Sequence, residues 1–285
     1  MQAMLGRKPY QHPGRLFIAE YGIPRRVEDI LSYARYLRQG KSFAPVKLRN
    51  IMWRYGIQCK TLRLPDIQGI EGFTDHESGV IFVNNSYSDE RQNFTVAHEF
   101  IEMLYSACKE SPEWECSVFA TMPDQKERLC NKGAAALLIP AQSLQTFLNE
   151  MQPSLQLASN LSNQVYKTSW TACVHRMVEL SHEPCAMIVW RQSQFNEQES
   201  LPDKESDSLR VWWAEVPKQI NWQIPRQQSA PTLVHQAYKE NQLCKGKETL
   251  TIGNLSGSFT VEAKKVAFGD QECVLSLVSP LAITR

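Results

Sequence analysis

The segment Phe94–Tyr105 constrains the chain more than any other stretch. It reads Phe-Thr-Val-Ala-His-Glu-Phe-Ile-Glu-Met-Leu-Tyr, which places one imidazole and two carboxylates on a short, otherwise apolar helix. His98 and Glu102 stand at i and i+4, one turn apart on a shared face. Glu99 follows His98 directly and leans beside that pair. This is the layout of an H-E-x-x-H helix, in which two residues hold a metal and the Glu activates water. Glu102 stands where the second histidine would be.

The bulk of the chain narrows the setting. Its 285 residues suffice for one large domain or two modest ones, and a net charge of +1 points away from a general polyanion binder. Direct nucleic-acid binding is therefore not expected. The eight cysteines form no C-x-x-C pair and no spacing of a zinc ribbon or disulfide framework. They read as buried thiols in a reducing compartment. Leu16–Ala19 is too short for the apolar core of a signal peptide, and no run approaches the ~18 apolar residues of a membrane span. The expectation is a soluble cytoplasmic protein.

Along the chain, residues 1–24 have no period and read as a tail or packing arm. Apolar positions Ile30, Leu31, Ala34 and Leu37 recur at helical spacing, and Val46–Tyr55 gives a second helix closed by Gly56. Strands are expected over 57–62, 70–74 and 79–84, the last a β-branched and aromatic run between Ser78-Gly79 and Asn84-Asn85. Ser88-Asp89 opens the helix that carries His98. Residues 107–123 look irregular. Asp124 is placed as the cap of a helix over 125–139 that Pro140 stops. The small residues Gly133–Ala136 in that helix should pack closely against the His98 helix. Shorter helices follow over 141–149, 157–165 and 169–180.

The texture then changes. Ala186–Trp190 and Leu209–Val216 are strand-like, with a polar, acidic loop expected over 192–208. A helix over 231–241 and strands around Leu250–Ile252, 258–263 and 274–278 complete a β-rich module. The expected division is an N-terminal arm (1–26), a domain carrying the motif (27–182) and a β-rich domain (183–285). The fold class is α+β.

Amide hydrolysis at neutral pH calls for a cation that polarises the carbonyl and acidifies a water, held by three ligands with one position open. His98 and Glu102 supply two ligands. Glu127, in the first turn of the small-residue helix, is the best candidate for the third. Glu99 would take the proton from water and pass it to the leaving amine. Tyr87, just before the His98 helix, is a candidate contact for the oxyanion. His76 reads as a turn residue, and His175 and His182 as surface or interface residues. One face of Trp212-Trp213 is expected in a core.

At these residues the chain resembles the ImmA/IrrE-type metallopeptidases, a gluzincin-like family. Gly79–Asn84 is similar to the family's strand ending in Asn. Arg91–Glu99 is close to its R-x-x-F-T-x-A-H-E. Glu127–Pro140 is similar to its E-x-x-A-N-x-F-A-x-x-L-L-x-P, which puts Glu127 on the third-ligand position. Ser169–Leu180, with Arg176, resembles the helix that follows. The resemblance covers roughly residues 27–180. It implies a small zincin-like domain with a short sheet against the active-site helix. It also implies a metal-dependent peptidase acting on one protein partner, a DNA-binding repressor, in stress response or mobile-element control. The β-rich module lies outside the match; by analogy with PAS or GAF sensors it would sense a signal or dock the partner.

Two positions depart from the family pattern: Glu102 replaces the second His, and Gly133 replaces a Phe. One imidazole and two carboxylates make a harder ligand set, which moves preference from Zn²⁺ toward Mn²⁺ or Fe²⁺, or leaves Zn²⁺ loosely held. The implied cofactor is one divalent metal, Zn or Mn. Its bound water would be less acidic, so hydrolysis is expected to be slow or absent with metal binding retained. The rival reading is a catalytically weak or inactive protein that binds and sequesters a regulatory partner.

Overall fold

A computed structural model describes residues 8–63, 70–192, 209–268 and 271–281. Among them the chain forms two compact units. One takes residues up to Thr146 together with Ser159–Cys173; the other takes Phe147–Ala158 and Val174 onward.

The first unit begins with helices α1 (Pro13–Tyr21), α2 (Val27–Leu37) and α3 (Leu48–Tyr55). Strands β1 (Gln58–Leu62), β2 (Gly72–Asp75) and β3 (Val80–Asn84) make a sheet of order β1-β3-β2, with β1 parallel and β2 antiparallel to the central β3. Helix α4 (Asp89–Lys109) carries the motif. Ser88 caps it by accepting from the Arg91 amide, acids occupy its first turn and Lys109 its last, as the helix dipole favours. The short α5 (Val118–Thr121) and then α6 (Lys126–Leu138) follow.

Helix α4 is the centre of this unit. Ala97, Phe100, Ile101, Met103 and Leu104 have no solvent exposure. Three glycines let other elements approach it closely. A Cβ on Gly14 would lie 2.5 Å from the Met103 carbonyl oxygen, so α1 rests almost directly on the α4 backbone. A Cβ on Gly72 would lie 2.6 Å from the Thr95 methyl, which lets β2 lie against the same helix. A Cβ on Gly133 would lie 2.9 Å from both Ile101 and Ile30, so α6 fits between α4 and α2. The close packing expected of Gly133–Ala136 is therefore present. The phenylalanine that the family pattern has at this point would not fit.

Several expectations are sharpened or corrected. Of the two readings of the N-terminal stretch, a tail or a packing arm, residues 13–21 follow the second and do so as a helix: Pro13 takes the first helical position, where its missing N–H costs nothing, and His12 caps it through Nδ1. Asp124 caps nothing; Pro123–Gln125 form a 3₁₀ turn and Gln125 precedes α6 without a side-chain cap. The stretch 107–123 holds a 3₁₀ turn, Trp114–Cys116, besides α5. The cysteines are all free, but Cys59 and Cys116 are exposed and not buried.

Helices α7 (Ala141–Leu148), α8 (Leu155–Asn160) and α9 (Trp170–Leu180), with a π-helical turn at Leu161–Tyr166, carry residues of both units. The second unit is built on β4 (Ala186–Gln192), β5 (Leu209–Glu215), β6 (Cys244–Ile252), β7 (Leu255–Phe268) and β8 (Gln271–Pro280). These form one antiparallel sheet of order β5-β4-β8-β7-β6, with α10 (Thr232–Glu240) against it. Trp190 is fully buried and its Nε1 donates to Ser276 Oγ at 2.8 Å, which satisfies the one polar atom of that ring. The loop expected over 192–208 falls, from residue 193, outside the described residues. No helix among the described residues is long and apolar enough to cross a membrane.

Replacing Gly133 by Leu forces a branched side chain against Ile101 and Ile30. Overpacking of this kind costs about 1–3 kcal/mol. Thermal unfolding of Gly133→Leu should show a lowered midpoint; an unchanged midpoint would mean that α6 is not held this close to α4.

Candidate metal centre

Arg91 and Thr95 of the R-x-x-F-T stretch both reach Glu71, the residue leading into β2. The Arg91 guanidinium pairs with one carboxylate oxygen, and Thr95 Oγ1 donates to the other at 3.3 Å. These bonds clamp β2 over the first turns of α4. One consequence is that Thr74, on β2, donates its hydroxyl to Glu99 Oε2 at 2.7 Å. At the end of β3, the Asn84 side chain donates to the Ile70 carbonyl and accepts from the Ser86 amide, fixing the turn into α4.

Two of the motif side chains on α4, His98 and Glu102, then meet α6. His98 Nε2 lies 3.6 Å from Glu102 Oε1 and 3.5 Å from Glu127 Oε2. On its other side, His98 Nδ1 is 2.9 Å from Asn131 Oδ1, so Nδ1 donates to the amide oxygen and Nε2 is the nitrogen turned toward the carboxylates. Metal–ligand bonds of about 2.0–2.1 Å in a tetrahedron separate donor atoms by about 3.3–3.4 Å. The two Nε2–oxygen separations lie close to that edge. His98 thus has the ligand-pair spacing to each carboxylate, but the donor atoms that all lie within 4.8 Å of one another are those of His98, Glu102 and Cys130, and Glu127 is not in that group. Cys130 is a further neighbour. Its Sγ lies within 4.8 Å of the donor atoms of His98 and Glu102. Burial, reinforced by the charges of Glu102 and Glu127, pushes its thiol above the ordinary range and keeps it protonated.

The electrostatics separate the carboxylates. Burial dominates at Glu99 and raises its pKa, against the lowering effect of the Thr74 hydrogen bond. Glu102 goes the other way. Its hydrogen bond to His98, followed by contact with Lys126 against the cost of burial, brings it down to about 2. Burial pulls the His98 pKa down, but Glu102, Glu99, Asn131 and Glu127 outweigh it, and the net shift is upward.

Lys126 and three other contributors escape a reading of the sequence. Lys126 Nζ contacts Glu102 Oε1, lies 3.2 Å from Glu127 Oε1, and sits 5.0 Å from the centre of the Tyr105 ring. A lysine before an acidic residue has no local signature. Thr74 and Cys130 likewise gain their roles only through packing. Asn131 had a signal, since it stands one helical turn after Glu127 and so on the same face.

The remaining candidates lie elsewhere. The Tyr87 ring is covered by the Arg91 guanidinium at 4.8 Å. His175 is not simply on the surface: Nε2 lies 3.5 Å from Glu215, and both side chains are mostly buried. His76 sits in the β2–β3 turn with Nδ1 buried and without a hydrogen-bond partner. A cleft of about 450 Å³ beside α3, lined by Pro45, Arg49, Cys59, Asn93 and Lys167 among others, does not include the His98 cluster.

The Glu102 shift has a sign that can be checked. A carboxylate whose folded pKa is depressed contributes stability above its unfolded pKa and loses it as the pH falls through the folded value. In chelator-treated protein, Glu102→Gln should cost on the order of 3 kcal/mol at pH 7. That difference should shrink as the pH falls from the usual 4.5 toward about 2. Urea melts at a series of pH values measure it; a pH-independent difference would contradict the ionic role.

Comparisons with known proteins agree with this architecture. Residues 48–177 match the peptidase M78 family, described as the IrrE N-terminal-like domain. The radiation response metalloprotease IrrE of Deinococcus deserti is 29% identical over 140 residues, covering 47% of this chain and 48% of that protein. The chain thus spans about half the length of this curated relative. A solved structure of a Mycobacterium tuberculosis transcriptional regulator superposes with a TM-score of 0.63 at 14% identity, covering 95% of this chain and 82% of that one. At that identity the likeness concerns the fold alone. Matched segment, helical unit with its short sheet and ligand-type cluster together place residues 48–177 in the ImmA/IrrE-type metallopeptidase family, as its IrrE N-terminal-like domain.

Proposed function

We propose that the first unit is a metal-dependent peptidase that hydrolyses a peptide bond in one specific protein partner. The observation that carries the reading is Glu99. It is a buried carboxylate, 6% exposed, held by Thr74 and set directly beside the His98–Glu102–Glu127 cluster. One divalent cation, Zn or Mn, would be held by His98, Glu102 and Glu127, and would supply Lewis-acid polarisation of the scissile carbonyl and an acidified water. Glu99 takes the proton of the attacking water and delivers it to the leaving nitrogen. Its raised pKa suits a group that must first accept and then donate. Asn131 keeps the His98 ring in one orientation.

Strand β2 supports a peptide as the substrate. It pairs only with β3 among the described residues, and so offers an open edge beside Glu99 to which an extended segment can add as a strand. The partner we propose is a DNA-binding repressor, in stress response or mobile-element regulation. Residues 27–182 would carry the peptidase site. Residues 183–285, with their five-stranded antiparallel sheet, would sense a signal in a PAS- or GAF-like manner or dock the partner.

Lys126 favours a second reading. An ammonium on Glu102 and Glu127 satisfies both carboxylates without a metal. The domain would then bind and sequester its partner without cutting it.

Incubating metal-loaded protein with a candidate repressor separates the two readings. Cleavage that vanishes in Glu99→Gln and on chelation supports the peptidase; partner binding that ignores both manipulations supports sequestration. For an active enzyme, Thr74→Val removes a hydrogen bond to the ionised Glu99 and raises its pKa further. The acidic limb of the kcat/KM profile should then move up by about one pH unit, in keeping with the worth of a hydrogen bond to a charged group.

A further inference from the structure

The position of Lys126 is not explained by the helix that bears it. It opens α6, where the helix dipole disfavours a cation, and it is adjacent in sequence to Glu127. Its stem nevertheless places the ammonium on Glu102 Oε1, the same oxygen that faces His98 Nε2 at 3.6 Å. It also reaches Glu127 Oε1, while Glu127 Oε2 faces His98 at 3.5 Å. The ammonium therefore bridges the two carboxylates that a metal would need. The Tyr105 ring, 5.0 Å from Nζ, offers it a further electrostatic contact.

We propose that Lys126 is a built-in competitor for the metal, a tethered ammonium that neutralises Glu102 and Glu127 when no cation is bound and must swing out for the site to load. This rests on the metal reading given above. Two carboxylates and a neutral imidazole balance the charge of one divalent cation. An ammonium left in contact with the same oxygens would add a like charge beside the metal and withhold a ligand atom. Being tethered, Lys126 competes at a high effective concentration that free cations must overcome. It also has a way out. The Lys126 side chain is 28% exposed and that of Glu127 68%, so a flexible four-carbon stem can turn to solvent. The site then loads only when free metal is high enough to expel the lysine, which makes metal supply a control on the domain.

The test uses the full chain, stripped with chelator and titrated calorimetrically with MnCl₂ and, separately, ZnCl₂. Lys126→Met keeps the length of the stem and removes its charge; it should bind at least tenfold more tightly than the wild type, whereas Lys126→Arg should stay weak. If Lys126→Met binds no more tightly than the wild type while His98→Ala abolishes binding, the lysine inference is overturned and the metal centre stands. If no variant shows binding that depends on His98, the metal reading falls and takes the inference with it. A second readout needs no variant. Reductive methylation followed by peptide mass spectrometry should show Lys126 modified more readily when metal is added. Labelling that is unchanged at saturating metal would contradict its expulsion.

Discussion

Close packing onto the backbone of α4 is the constraint from which the rest of the first unit follows. Gly14, Gly72 and Gly133 each remove a Cβ at a point where another element meets this helix or its immediate neighbours. Protein interiors are dense enough that one added carbon is felt. These glycines thereby set how near α1, β2 and α6 can come. The short reach of Thr74 to Glu99, and of Glu127 to His98, depends on that nearness. An angstrom of extra separation would leave the same residues present and the site dispersed.

With the helices so placed, electrostatics divides the labour among chemically similar groups. Glu99 and Glu102 are three residues apart on one helix, yet their pKa values move in opposite directions. Glu99 is 6% exposed and accepts the hydroxyl hydrogen bond of Thr74. Glu102 meets an imidazole and an ammonium. The first environment favours a group that holds and releases a proton, and the second a permanent anion that binds cations. Where the motif has its second histidine, this chain has Glu102, and Lys126 meets its charge.

The sequence made much of this legible. The His98 helix, the strand ending at Asn84, the Glu127 helix and its small-residue run could all be read from local pattern. Their partners could not. The α1 helix was hidden because its nine residues carry little apolar period, although Pro13 at its start was a usable signal. Asp124 looked like a helix cap because residue type alone does not reveal that the preceding turn is 3₁₀. Cys130 looked like any buried thiol.

What the sequence determined by itself is the list of elements and the residue set on α4 and α6, because helical and strand periods are local and a pattern such as His-Glu-x-x-Glu fixes its own geometry within one turn. What only the tertiary structure decided is which oxygen meets which cation. Lys126 and Glu102 are separated by 24 residues of chain, and Thr74 and Glu99 by 25. Such contacts arise from the distance and angle at which packed elements cross. Those are set by interlocking side chains across the whole unit and by no single stretch of sequence.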